Sequence, residues 1–557
     1  MSFMQQHISR AIAFILAIIT FLISGVSFLA DKAKTVTVSV DCAGAGEVLP
    51  NIASNVNQWD MGTMFYSPSV TSEYNIFDFV EYVQLMQCTG GTYSRDLFKD
   101  PYDTSVLDDY DFTRLIENCR GILSLGAKPH LKLGGVPMKY TSGAELGGFD
   151  MNVYPPDDYN VYYNYIKAAA EALVDAFGKE EVLTWRFGCM TEYENYDWFQ
   201  AKSGKPEDSM IAYCKLYDYT VQALVDVLGE EVFVGAHSMS VTEGGWDEAE
   251  FIKHIAQGTN YANGKTGTKV SFLSASFYDI KPGQYTSGKT LPETIAYLRD
   301  AAEKYGLEDV IFGVDEGRIL NGNARGAIDV QVLNRTVGFT WQGAYDARLF
   351  KQALDSGMNY FSSWGLLSGG LFSGNPTVSY YVLSNLAKFA GSRKLETEVD
   401  FAALGGKESD CLAAFDEESG TLRLMVYNFK NDVDYDKALD LNIALSVPQF
   451  DGKTVKIVKK VIGDDCNWFD EWQADRVTYG ITDDKFGWSP DDPCVENGTT
   501  LQDAGARKLY LNELMPKYAE LSRLVPEESE LEVTDGAIDI NTAIEANNVI
   551  FYEISAK

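Results

Sequence analysis

At 557 residues, 46% hydrophobic and 13% aromatic, the chain is longer than one ordinary domain and carries ample apolar material for a large core. Its 80 acidic residues outnumber 46 Lys and Arg for a formal charge of -34, a field that opposes binding to nucleic acid or anionic membrane surfaces and leaves an uncharged partner as the better fit. Four His and eight scattered Cys without a CxxC pair offer no metal-ligand spacing, so no catalytic metal is expected.

His7 and Arg10 precede an apolar run over residues 11–30, roughly the length that spans a bilayer. Residues 1–33 are therefore expected to form a signal peptide or an N-terminal membrane anchor. Either form places the protein outside the cytoplasm, secreted or tethered through this segment alone. The run ends among Gly25, Ser27 and Ala30 without an A-x-A cleavage site, which leaves both forms open. Cys42, the first cysteine, lies inside an apparent strand, against a lipid-modified cysteine. That strand, over 35–40, is expected to pair with a sheet at the far end of the chain.

Over residues 49–394, short apolar strands ending in polar residues alternate with longer stretches of helical spacing such as 162–177 and 294–305. Strands are expected at 51–57, 91–97, 128–133, 182–190, 232–237, 270–278, 310–316 and 359–364. Eight βα units close into a (β/α)8 barrel of the TIM type, an α/β fold. Beyond about residue 395 the strands, at 421–427, 453–462 and 549–554, follow one another without long helices. This pattern predicts a β-sandwich built from 34–48 together with 395–557. The stretch 474–512, rich in Asp, Gly and Pro, reads as a long loop near the domain interface. Cys466 and Cys494 share this region and could pair, with isolated buried thiols as the alternative.

In such a barrel the reactive groups sit where strands end at the C-terminal face, so a carboxylate closing an apolar strand stands out. In Trp185-Arg-Phe-Gly-Cys-Met-Thr-Glu-Tyr-Glu-Asn195 the fourth strand ends at Glu192, and in Val310-Ile-Phe-Gly-Val-Asp-Glu-Gly317 the seventh ends at Glu316. Strands four and seven face each other across a barrel. Two carboxyl groups about 5 to 5.5 Å apart suit a retaining glycosidase, one protonating the departing oxygen and one attacking the anomeric carbon.

The chain resembles the clan A glycoside hydrolases, whose acid/base ends strand four and whose nucleophile ends strand seven. More narrowly it is similar to glycoside hydrolase family 39, the family of β-xylosidases and α-L-iduronidases. Phe187-Gly-Cys-Met-Thr-Glu-Tyr193 aligns without gaps to that family's F-E-x-W-N-E-P, with Glu192 on the acid/base. Asp315-Glu316-Gly317 matches D-E-A, with Glu316 on the nucleophile. Ser274-Ala-Ser-Phe-Tyr278 resembles S-F-H-x-Y, whose tyrosine hydrogen-bonds the nucleophile. Trp364 ends strand eight, where the clan carries a tryptophan under the sugar. Arg95 is read as closing strand two, where an arginine steadies the nucleophile's charge. Gly463-Asp-Asp-Cys-Asn-Trp-Phe-Asp-Glu-Trp472 is similar to the D-D-x-x-x-N-x-x-x-x-W stretch that follows the barrel in family members.

The resemblance implies double displacement on an oligo- or polysaccharide, exo-acting and with no cofactor. Two departures bear on the sugar. Thr191 stands where the family has the asparagine that contacts the 2-hydroxyl, and a threonine hydroxyl is shorter than an amide; Tyr193 replaces the proline after the glutamate. They motivate a second reading, a non-catalytic carbohydrate-binding protein on a glycosidase barrel; a transglycosylase using the same glutamates is a third. Glu194 is a fallback acid/base, since strand alternation would point Glu192 and Glu194 the same way. His130 and His237, read as ending strands three and five, could hydrogen-bond sugar hydroxyls or be satisfied core histidines. Trp59 could add a stacking wall, and Lys132 could contact the carboxylate of a uronic acid.

Overall fold

The structure is a computed structural model that describes residues 34–58, 73–239, 244–281, 284–285, 289–319, 340–364, 371–372, 375–404, 408–432, 434–485 and 501–557. The apolar run of 1–33, Trp59 and Cys494 lie outside the described residues.

Eight parallel strands close into one barrel: Asn55–Gln58, Tyr82–Leu85, Lys128–Leu133, Arg186–Cys189, Phe233–Ser238, Phe272–Lys281, Ile311–Ile319 and Tyr360–Ser363. Closure comes from the eighth strand, which pairs with the first through Ser362 opposite Asn55 and with the seventh through Tyr360 opposite Gly313. The expected (β/α)8 barrel is thus the architecture found. Alternate residues face outward as a nearly all-apolar shell, including Val83, Leu85, Leu131, Phe187, Val234 and Val314, all buried beneath the surrounding helices. Those helices form for local reasons. Leu291–Tyr305 starts in a capping box between Thr290 and Glu293, buries Ile295, Leu298 and Ala302 along one face, and stops at Gly306 in the left-handed conformation, φ 84°.

The second strand lies earlier than the sequence suggested. Tyr82–Leu85 takes the place expected for 91–97, and the latter is a loop. Gly90 and Gly91 adopt φ of 95° and 118°, which ends any strand there. The Asp96 carboxylate then accepts from Gly91 N at 2.8 Å, fixing the turn.

The barrel interior is polar. Asn55, Asn57, Gln84, His130, Lys132, His237 and Asp315 are all buried there. The Arg186 guanidinium lies over the rings of Tyr82 and Tyr360, 3.9 and 4.7 Å from their centroids.

Two further sheets pack face to face. One runs Glu396–Val399, Lys34–Asp41, Leu439–Ser446, Ala537–Ile544; the other runs Arg393–Lys394, Asp410–Asp416, Thr421–Tyr427, Val549–Ala556, Thr454–Ile462, Glu527–Glu532. Val36, Val38 and Val40 alternate into the shared core with Leu441, Ile443, Leu424 and Ile554. Lys34–Asp41 runs parallel to Leu439–Ser446, with Lys34 opposite Leu439.

The stretch read as a long loop is partly helical. Phe469–Tyr479, Ala504–Leu509 and Met515–Leu521 surround a small core of Trp468, Trp472, Tyr510 and Tyr518. Short helices, the first of them capped by Gly480, leave little periodicity to read, and widely spaced aromatic residues supply the burial. Each described cysteine, Cys466 among them, is a buried free thiol.

Candidate active site

The fourth strand ends at Cys189, and the chain then turns sharply enough that Met190 and Glu192 take left-handed φ of 65° and 44°. Side chains rarely adopt that region, and such strain collects at functional sites. Gly134 makes room for the turn, since a Cβ there would lie 2.6 Å from Met190 N. Glu192 is 8% exposed, and its Oε2 accepts from Asn195 Nδ2 at 3.0 Å and Trp198 Nε1 at 3.1 Å. Trp198 is itself held by stacking on Phe149, centroids 4.4 Å apart. Burial pushes the Glu192 carboxyl above the ordinary glutamate range, against the hydrogen bonds of Ser276, Asn195 and Trp198 and with help from the nearby charge of Asp197.

Glu316 owes its orientation to a β-bulge. On one side the register passes from Ala275 opposite Val314 to Ser276 opposite Glu316; on the other it passes from Phe361 opposite Val314 to Ser363 opposite Gly317. The seventh strand therefore carries one residue more than either neighbour, which lets the consecutive Asp315 and Glu316 both be buried. Glu316 is 8% exposed and accepts from Tyr278 Oη at 2.6 Å. Asp315 points into the barrel, where it is ion-paired with Lys132 and accepts from Tyr360 Oη at 2.6 Å. Its carbonyl takes Asn57 Nδ2 and Gln84 Nε2, each at 3.0 Å. Burial opposes the charge on Asp315, yet Lys132 outweighs it and holds the carboxyl well below the usual range. On the far side of Glu316, Arg318 takes φ 118° and is buried in a two-point pair with Asp346, Nε to Oδ1 3.1 Å and Nη2 to Oδ2 2.8 Å. Ser379 Oγ joins that pair, accepting from Arg318 Nη2 at 2.7 Å.

His237 closes off one wall beside Glu192. Its Nδ1 is 3.2 Å from Thr191 Oγ1 and its Nε2 is 2.8 Å from Ser276 Oγ. Burial, reinforced by the Lys132 charge, pushes the imidazole down to about 3, so it is neutral.

Glu192, Thr191, His237, Tyr278 and Glu316 thus gather toward the C-terminal ends of the fourth to seventh strands, although the seventh does not end at Glu316 but pairs with the sixth as far as Ile319. Other sequence assignments change. Arg95 does not close a strand; it sits in the turn after residue 91, its guanidinium 3.2 Å from the Asp150 carbonyl and 3.7 Å from the Asp150 carboxylate. His130 is not at a strand end either. It lies in mid-strand, a layer below Lys132, edge-on to the rings of Phe272 and Tyr360 at 5.4 and 6.4 Å. Lys132 is fully buried against Asp315, an arrangement that uses its charge internally. Trp364 follows the eighth strand by one residue, partly buried, its N bonded to Gly317 O at 3.1 Å. Glu194 turns the other way from Glu192, accepting from Met239 N at 2.7 Å and supporting the loop beyond the fifth strand. Because the chain there is a turn, strand alternation does not apply.

Sequence reading did not single out Asn195, Trp198, Ser276, Asp315 or Arg318. Asn195 and Trp198 carry a signal in retrospect, as donor side chains three and six residues after a strand-ending glutamate. No group of three or more His, Cys, Asp or Glu among the described residues is arranged to hold a metal ion, and no helix among them is long and apolar enough to cross a membrane.

Comparison with known proteins bears on the family and the fold. The model of Glycosyl hydrolases family 39 matches residues 96–395. A β-xylosidase of Geobacillus stearothermophilus is 32% identical over 119 residues, which is 21% of this chain and 22% of that protein. A β-xylosidase of Caldicellulosiruptor saccharolyticus is 30% identical over 121 residues, 22% of this chain and 23% of that protein. The alignments thus span less than a quarter of either relative. Among solved structures, a monomeric β-xylosidase from Caulobacter crescentus superposes with TM-score 0.64 at 16% identity, covering 93% of this chain and 99% of that one. A family 39 enzyme from Xanthomonas axonopodis gives 0.61 at 15% identity, covering 93% and 97%. At such identity the likeness speaks for the fold.

Proposed function

Since the chain belongs to glycosyl hydrolase family 39, we propose that it is a retaining, exo-acting glycosidase of oligo- or polysaccharides in which Glu192 is the acid/base and Glu316 the nucleophile. One observation carries this reading: two buried carboxyl groups, one just after strand four and one toward the C-terminal end of strand seven, have different hydrogen-bond partners. Glu192 is pushed toward its protonated form by burial. Glu316 accepts a phenol hydrogen bond from Tyr278 and lies within electrostatic reach of Lys132. Two carboxyl groups with such different surroundings are suited to divide the acid and nucleophile roles between them.

The donors around Glu192 also support one seat for the proton. Asn195 Nδ2 and Trp198 Nε1 can only donate, and both occupy Oε2, so the transferable proton of Glu192 rests on Oε1. Glu316 attacks the anomeric carbon as that proton moves to the departing glycosidic oxygen, giving a glycosyl ester and a free alcohol. Glu192, now ionised, takes a proton from water as the water oxygen displaces Glu316, returning both side chains to their starting states. Tyr278 holds the nucleophile in position and the partly buried Trp364 lines the sugar site, while Thr191 and His237, fully buried, support the site from behind. The apolar run over 11–30 supports placing this activity outside the cytoplasm, secreted or tethered through residues 1–33.

The test is turnover of aryl xyloside, arabinofuranoside, galactoside and iduronide, with the anomer of the first-formed product read by NMR. Retention is expected, with Glu316→Ala losing hydrolysis but keeping sugar binding. An inverted product would refute the mechanism. Sugar binding without turnover of any glycoside by the unaltered protein would favour the non-catalytic reading.

A further inference from the structure

We propose that Thr191, His237 and Ser276 form a directed hydrogen-bond chain ending on Glu192, with His237 as the positioning residue that fixes its direction. The inference rests on Glu192 being the acid/base. Two links are set by distance, Thr191 Oγ1 to His237 Nδ1 at 3.2 Å and His237 Nε2 to Ser276 Oγ at 2.8 Å, and the Ser276 hydroxyl acts on the Glu192 carboxyl, opposing the effect of burial there. All four side chains are buried.

Buried in this way, each group has few partners, and the chemistry of each limits what it can do. A neutral imidazole has one donor and one acceptor nitrogen. When Glu192 is ionised it can only accept, so Ser276 must give it the hydroxyl proton. Ser276 Oγ then accepts from His237 Nε2–H. Nδ1 is left as the acceptor and takes the Thr191 hydroxyl proton. Three dipoles therefore line up on the carboxylate, with no group frustrated, and they do so in one sense only. An imidazolium could not serve, because both nitrogens would donate. His237 stays neutral because it is buried and faces the Lys132 ammonium from the third strand, with Asp315 on the seventh acting against that charge. The other groups around the chain are Asn195, Asp197 and Trp198 on the Glu192 loop, and Glu316, which stands opposite Ser276 across the sixth and seventh strands.

The chain stabilises the state of Glu192 that follows proton donation. Cutting it should raise the affinity of Glu192 for its proton. This makes Glu192 a poorer acid toward demanding leaving groups. It also moves the alkaline limb of kcat/KM, which reports loss of the acid's proton in the free enzyme, to higher pH.

The experiment is the pH profile of kcat/KM for Ser276→Ala, Thr191→Val and the double variant, each on one activated aryl glycoside and one with a poor leaving group. For Ser276→Ala the alkaline limb is expected to rise by about one pH unit, the scale of one hydrogen bond to a charged group. The poor leaving group should lose on the order of tenfold more rate than the activated one. Thr191→Val should shift the limb in the same direction by less. The double variant should shift no further than Ser276→Ala alone, because cutting at Ser276 already disconnects Thr191. Ser276→Thr, which keeps the hydroxyl, should restore the unaltered profile. An alkaline limb unmoved in Ser276→Ala, or shifts of the two single variants that add, would overturn the chain; if Ser276→Ala does not fold, Thr191→Val decides by whether its limb rises. Glu192→Ala separates the premise from the inference: if it keeps the alkaline limb and loses no selectivity between leaving groups, the acid/base assignment itself fails.

Discussion

Replacing Lys132 by methionine would leave the Asp315 carboxylate inside the barrel without its counter-charge. Both side chains are wholly excluded from solvent, and the remaining side-chain donor to Asp315 that the geometry shows is the Tyr360 hydroxyl at 2.6 Å. Removing one partner of a buried pair typically costs about 3–5 kcal/mol, against a total stability of roughly 5–15 kcal/mol. Lys132→Met should therefore lose at least about a fifth of the folding free energy in urea denaturation. Lys132→Met with Asp315→Asn removes both charges and should recover most of the loss, a coupling of about 2 kcal/mol or more in the double-mutant cycle. The pH dependence gives a second reading. The Asp315 carboxyl is held below its ordinary value in the folded protein, so its contribution is present above the unfolded carboxyl range near 4 and is lost as the pH falls through the depressed value. The deficit of Lys132→Met should accordingly shrink on acidification, because a protonated Asp315 needs no cation. A single-variant cost below about 1 kcal/mol, or costs that merely add in the double variant, would refute the assignment of this pair as an interdependent unit.

Gly134→Ala places a Cβ 2.6 Å from Met190 N at a backbone φ of 108°, so kcat/KM should fall more than about tenfold as the Glu192 turn is displaced, measured well below the melting temperature. Trp198→Phe removes one of two N–H donors to Glu192 Oε2, and the alkaline limb of kcat/KM should move to higher pH, read from a rate profile on an aryl glycoside. Arg318→Lys replaces a two-point contact to Asp346 with a single one beside the nucleophile, so kcat should drop while KM changes little, and circular dichroism should remain that of the folded protein.

Much of this arrangement can be read from the chain. Lys128–Leu133 is read to the residue because it is an apolar-backed run with polar residues at every second position. The second strand is not, because Tyr82–Leu85 is only four residues long and the doubled glycine that follows introduces an alternating Thr-Tyr-Ser-Arg that mimics a strand. Arg95 belongs to that same loop. Glu192 and Glu316 stand out as carboxylates ending apolar runs, and Tyr278 falls at the right distance from its strand start. Asp315 does not stand out, since strict alternation allows only one of two consecutive residues to face inward, and a bulge set by the pairing of three strands leaves no mark on local sequence. His130 shows the same limit in another form: alternation points it inward, but how deep a side chain lies depends on where the strand ends.

The strand Lys34–Asp41 lies between Glu396–Val399 and Leu439–Ser446, partners that leave the ribosome only after the whole barrel has been made. Until then a ribbon of Val36, Val38 and Val40 has both edges open and no sheet to join. Completion of the second domain is thus a late, long-range closure, and the time spent waiting for it is when this protein is most open to self-association through that ribbon.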